Sequence, residues 1–195
     1  MSNKIIILSS DNVLNSKFSS VLMREETNVI STSNFEELKL AISDLDFSVD
    51  IILCDLEFVL DSEGYNLLNR FKKDIKNLQI VTFTSLTMNM DIVNRIIKIG
   101  VYDNLIKPIT PEALKRSTSR AIEKKNLLDI NTDLEEELKT LRKTLQALLN
   151  ADLEQITDSD FKKIKEQMEG SVSDIEKRYK ILSKSLSDQL KTIKE

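Results

Sequence analysis

The chain has 195 residues and a formal net charge of -4, with 31% charged and 41% hydrophobic residues, three glycines, two prolines, one cysteine and no histidine. So few glycines and prolines argue for long helices and against an all-β or disordered chain, and the lack of histidine excludes His-based metal sites, histidine general bases and a phosphohistidine relay within the chain. The charge divides evenly between residues 1–122 and 123–195, so neither half carries the positive excess that binding nucleic acid requires.

Residues 4–8 (KIIIL) read as a core strand, too short for a signal-peptide core or a membrane span. No later stretch approaches 18 consecutive apolar residues, so a soluble, cytoplasmic protein without membrane insertion is expected. Val13, Leu14, Phe18, Val21 and Leu22 recur at helical spacing through about Arg24, and residues 28–31 form a weak, short strand. Ser33 or Asn34 caps a helix carrying Phe35, Leu38, Leu40, Ala41, Ile42 and Leu45, with Glu36 and Glu37 in its first turn, where the helix dipole favours them. Next, the run Ile51-Ile52-Leu53-Cys54 is apolar on both faces, as a buried parallel strand is, and delivers Asp55 to its carboxyl end, where ligands of open α/β sheets gather. A carboxylate there is a phosphoryl nucleophile, a hard-metal ligand, or an ordinary strand-end aspartate. Cys54 has no disulfide partner in the chain and reads as a small core residue in a reducing compartment.

A loop through Gly64 then leads to a helix with Leu67, Leu68 and Phe71. Residues 80–83 give a fourth strand, and residues 90–99 a helix that Gly100 ends as a C-cap. Residues 102–106 give a fifth strand, after which Thr110 and Pro111 open another helix by cap and first-turn chemistry. Strands alternating with helices in this way imply an α/β domain with a doubly wound, five-stranded parallel sheet.

Asp55 ending strand three, Gly64 in the following loop, Thr84-Ser85 ending strand four, and Gly100 through Lys107-Pro108 ending strand five together resemble the receiver domain of two-component response regulators, over about residues 1–122. The resemblance implies a flavodoxin-like fold in which Asp55 is the phosphoacceptor, Thr84 contacts the phosphoryl oxygens and Lys107 pairs with them. An acceptor carboxylate, a hydroxyl and a fixed cation form a coherent group around a transferring phosphoryl. Receivers end strand one with two adjacent acids that hold Mg²⁺; here the positions are Ser9-Ser10, with Asp11 one residue late. Replacing two carboxylates by hydroxyls removes attractions of about 4 kcal/mol each at ~4 Å and an effective dielectric of ~20. Metal affinity then depends on Asp11, Asp55 and Glu57, the last either supplying a carboxylate or occupying the pocket itself. The aromatic switch position of strand five is Asn104.

Residues 123–195 read as an all-α coiled-coil or helical-hairpin extension for dimerisation. The helix opening at Pro111 has no stop signal near residue 122. Leu127, Leu134, Leu141 and Leu148 then form one row and Asn131, Leu138 and Leu145 another, spaced alternately four and three, a seam that wants a partner helix. Asn131 either fixes register as a buried asparagine does or lies at a frayed junction. Polar residues 150–160 interrupt the pattern, with Thr157, Asp158 and Ser159 as candidate caps. A second stripe runs Phe161, Ile164, Met168, Val172, Ile175, Tyr179, Leu182, Leu186, Leu190, Ile193, with Gly170 within it. Two such helices fold back as a hairpin that pairs with a second copy, or extend as one parallel coil; either makes a homodimer, the hairpin being favoured.

The tail has no basic recognition helix, no nucleotide-binding glycine loop and no acidic constellation of an output enzyme, so the expected protein is not an enzyme. The favoured function is an atypical, pseudo-receiver response regulator that acts as a dimer by protein–protein contacts with other signalling proteins, without conventional Mg²⁺-dependent phosphorylation and without a cofactor. By analogy with receivers, the contact face lies around residues 88–99 and 102–104. The alternatives are a phosphorylatable receiver with Asp55 as acceptor, signalling through the helical tail and using Mg²⁺, and a structural scaffold whose receiver-like domain does not switch.

Overall fold

The structure, a computed structural model, describes residues 3–23, 27–45, 48–85, 89–150 and 158–192. Five strands, β1 (Asn3–Leu8), β2 (Thr27–Thr32), β3 (Ile51–Asp55), β4 (Gln79–Thr84) and β5 (Asp103–Ile106), form one sheet in the order β2-β1-β3-β4-β5 with every pairing parallel. Between them run α1 (Asn12–Leu22), α2 (Phe35–Asp44), α3 (Leu56–Leu60), α4 (Ser62–Asp74) and α5 (Met90–Ile99); α6 (Pro111–Asn150) and α7 (Asp158–Thr192) follow. The chain divides into two compact units, Met1–Asn126 and Leu127–Glu195.

Alternation along the strands builds the core of the first unit on both faces of the sheet. Ile6, Leu8, Ile52, Cys54 and Ile80 face a cluster with Leu38 of α2, Val59 of α3, Leu68 of α4 and Ile99 of α5. Ile5, Ile7, Ile51, Leu53, Val81 and Phe83 face Phe18 of α1 and Leu114 and Ala121 of α6. The strand order reverses between β1 and β3, and the carboxyl end of β3 at that switch point carries Asp55.

Several local expectations are revised. Residues 28–31 belong to a full six-residue β2, because its register with β1 is unbroken from Asn3↔Thr27 to Leu8↔Thr32. Helix α1 spans Asn12–Leu22, and Arg24, its expected end, lies outside the described residues. Leu40, one of the apolar residues this helix carries, is exposed, since Leu38, Ala41 and Ile42 fill the inward arc of α2. Of the two cap candidates, Asn34 is the N-cap, its Oδ1 accepting from Glu37 N at 2.9 Å. The stretch after Asp55 is a one-turn helix, α3, where a plain loop was expected: Asp55 caps its start and Asp61, ending it, caps α4. Gly100 ends α5 with φ at 72°, a left-handed position that favours glycine.

In the second unit α7 runs beside α6. The Arg178 guanidinium bridges Asp133 and Glu137, each at 3.0 Å, and Ser171 lines the same polar cavity as Thr140. Rising along α6 thus matches falling along α7, as in an antiparallel helical hairpin. Leu127, Leu134 and Leu141 are half-buried, whereas Asn131, Leu138 and Leu145 are exposed, so the two rows predicted as one seam part company. On α7, Ile175 is half-buried and Val172 and Tyr179 are exposed. The side chains of Leu148, Phe161, Ile164, Met168, Leu182, Leu186 and Leu190, with all of Thr157 and Ile193, lie outside the described residues.

Candidate functional site

Asp55 is delivered by a strand that is buried at every position, and only 7% of the residue is exposed. Its two carboxylate oxygens have different partners. Oδ2 takes an ion pair from Lys107 Nζ at 2.7 Å, with the side chains 28% and 10% exposed for Lys107 and Asp55. Oδ1 accepts from Glu57 N at 3.3 Å, which makes Asp55 the N-cap of α3. The Lys107 ammonium also lies 5.2 Å from the centroid of the Phe83 ring, in cation–π range. Lys107 is set there by its own backbone, whose N–H donates to Thr84 O at 2.8 Å.

Thr84 ends β4 beside β3 and is buried. The structure therefore brings Asp55 and Lys107 into contact and places Thr84 at the end of the adjoining strand. The Asp11 carboxylate caps α1, its Oδ1 accepting from Val13 N and Leu14 N at 2.9 and 3.0 Å, while Glu57 is exposed in the first turn of α3. The buried Ser9 accepts at its Oγ from Asp11 N at 3.2 Å and at its carbonyl from Asn15 Nδ2 at 2.8 Å.

The fold implies Mg²⁺, which asks for near-octahedral oxygen ligation, with one or two carboxylates as its usual protein ligands. Among the described residues no group of three or more acidic or thiol side chains has the geometry to hold a metal ion. Asp11 is occupied in capping and one oxygen of Asp55 is paired to an ammonium, and no chemical step is routed through such an ion.

Sequence reasoning missed two features. Phe83, read only as a core strand residue, also floors the Lys107 ammonium. Asn104, at the switch position, accepts from Thr82 Oγ1 at 2.8 Å, the two being directly opposed in the β4–β5 register. A threonine and an asparagine facing each other across adjacent strands is the signal that would have revealed the pair.

The match to the family model for the response regulator receiver domain covers residues 5–119, more than half of the chain. The chain belongs to the response regulator receiver family. Its receiver fold is shared with a response regulator from Thermotoga maritima, at 18% identity and a TM-score of 0.54, covering 63% of this chain and 99% of that one. It is shared too with the signal receiver domain of a putative Luxo repressor protein from Vibrio parahaemolyticus, at 19% identity and a TM-score of 0.56, covering 66% and 96%. NtrX from Brucella abortus, whose structure is a complex with ADP, matches at 20% identity and a TM-score of 0.60 over 74% of this chain and 34% of its own. No curated protein matches the sequence. Membership in the receiver family places the chain in two-component signalling, a family role of signalling by interaction with other proteins. Among the described residues no helix is long and apolar enough to cross a membrane.

Proposed function

We propose that this receiver is a pseudo-receiver: a dimeric response regulator that signals by protein–protein contact without conventional Mg²⁺-dependent phosphorylation. The observation that carries the reading is the commitment of the Asp55 carboxylate, with Oδ2 held by Lys107 and Oδ1 by the start of α3, while Asp11 is spent on α1. An ion pair and a cap replace the metal-bridged acceptor. The output is contact: α5, β5 and the residue just before β5 carry the exposed side chains of Met90, Ile97, Ile106 and Tyr102, a face suited to other signalling proteins. Met88, at one edge of the expected face, lies outside the described residues. The C-terminal helices, with their leucine rows, make the homodimer.

A second reading, a phosphorylatable receiver with Asp55 as acceptor, is favoured by one observation, the presence of Lys107 and Thr84 at the strand ends beside Asp55. Intact mass after incubation with Mg²⁺ and acetyl phosphate separates the two, with Asp55→Asn as control. The pseudo-receiver gives no adduct. A stoichiometric phosphoryl adduct on the wild type that the control lacks establishes the second reading instead.

A further inference from the structure

Among the half-buried residues of α6, Leu127, Ile130, Leu134, Glu137, Leu141 and Thr144 are spaced three and four, with Leu128, Asp129, Thr132 and Asp133 half-buried beside them. The heptad pattern of the sequence follows 127, 131, 134, 138, 141 and 145 instead, leucine at every position but Asn131. The two patterns share one row only. The row left over, one residue after each of 130, 137 and 144, stays out of the hairpin, with Leu138 55% and Leu145 45% exposed. Helix α7 repeats the offset: Ser171 and Arg178 are half-buried, and the residues following them, Val172 and Tyr179, are 47% and 67% exposed. Antiparallel helices wind in opposite senses when viewed from one end. Equal offsets therefore bring both leftover rows to the same broad side of the hairpin, where they form one apolar face with seven-residue spacing on each helix.

We propose that this face docks on the same face of a second copy, with the two-fold axis parallel to the helices, closing a four-helix bundle. The inference rests on the dimeric reading above and assigns its surface: row 127/134/141 closes each hairpin, and Leu138, Leu145, Val172 and Tyr179 join the two. Helices repeating at seven residues pack on helices of the same repeat, which a second copy supplies. The rims carry opposite charge at one level. Next to the α6 row stand exposed Glu135 and Arg142, and next to the α7 row stand exposed Glu169 and Glu176. An axis parallel to the helices lays each α6 over α7 of the other copy. Since Arg178 is level with Asp133 and Glu137, Arg142 is level with residue 171 and falls between Glu169 and Glu176 of the other copy.

The test is the mass of the full chain in solution across a concentration series, with helicity followed by circular dichroism. The wild type is expected to be a dimer. Leu138→Lys with Val172→Lys is expected to keep its helicity and weaken the dimer by about 100-fold or more. Arg142→Glu alone is expected to weaken it, and adding Glu169→Arg and Glu176→Arg to restore it. A double-lysine variant that dimerises like the wild type overturns this surface and leaves the dimeric reading standing, whereas a monomeric wild type overturns both. If the lysines melt the helices, the charge reversal decides: no loss, or a loss without rescue, overturns the proposed arrangement.

Discussion

The ammonium of Lys107 is held 2.7 Å from the Asp55 carboxylate with the Phe83 ring against it, and the two partners are unequally buried. Lys107→Ala leaves a carboxylate in a nearly closed site and is expected to cost about 1–3 kcal/mol. Asp55→Asn keeps an oxygen to cap α3 and leaves a lysine that reaches water, so its cost is expected to be smaller. Urea unfolding of the two variants checks the order; a larger loss for Asp55→Asn than for Lys107→Ala contradicts it.

Glycine is required at residue 64 and dispensable at residue 170. A Cβ on Gly64 meets the Phe58 carbonyl oxygen at 1.9 Å and the Phe35 ring at 2.6 Å, where α3 turns onto α4. Gly64→Ala is therefore expected to destabilise by about 2 kcal/mol or more. A Cβ on Gly170, within α7, meets nothing within 4 Å, and Gly170→Ala is expected to stabilise that helix by about 0.5–1 kcal/mol. Thermal unfolding of the two alanine variants should show shifts of opposite sign.

Acid should loosen the start of α2. The Ser33 backbone N–H, at 2.7 Å, and then the Ser33 hydroxyl hold the Glu37 carboxyl below its usual value of 4.5. A lowered folded value means that the unfolded chain takes up the proton first. The stabilisation is thus present above the ordinary glutamate range and is lost as pH falls through the folded value. Glu37→Gln should lower the Tm at neutral pH, with the gap to wild type closing below pH ~4. A constant gap across that range contradicts the assignment.

Cys54 should be inert in the folded protein. Burial, and secondarily the neighbouring Asp55 carboxylate, push its thiol well above the ordinary range. Labelling by a thiol reagent is expected to be slower than in urea by about 10³-fold or more, tracking the unfolding equilibrium. Labelling at the unfolded rate in native buffer rules this out.

The sheet was legible because its signals are local and redundant: Ile51 to Cys54 can only be a buried strand, and Gly100 and Thr110 mark where neighbouring helices end and begin. The partners of Asp55 were legible as types and positions, since Lys107 and Thr84 close the two following strands. What escaped was decided by competition for the same atoms. Asp11 could be read as a metal ligand or a cap, and two backbone N–H groups claim it as a cap. Residues 57–60 carry no periodic signal long enough to show a helix, so α3 became visible only with Asp55 at its head. The row of Asn131, Leu138 and Leu145 was plain in the sequence, yet which neighbour each residue meets depends on a rotation of the hairpin that spacing alone does not fix.

At the opposite end of β3 from Asp55 lies a second, half-buried aspartate. Asp50 accepts from Lys4 N at 2.6 Å and is paired with Lys125 Nζ at 2.7 Å. The strand is thus gripped at its head and its foot by lysines that both arrive late in the chain, after β4 has been made. A polypeptide cut after residue 119, where the family likeness ends, has the catch at the carboxyl end and lacks the one at the amino end, leaving Asp50 without its lysine. For this protein the smallest self-sufficient piece should therefore extend at least to Lys125, several residues further than resemblance alone would place the cut.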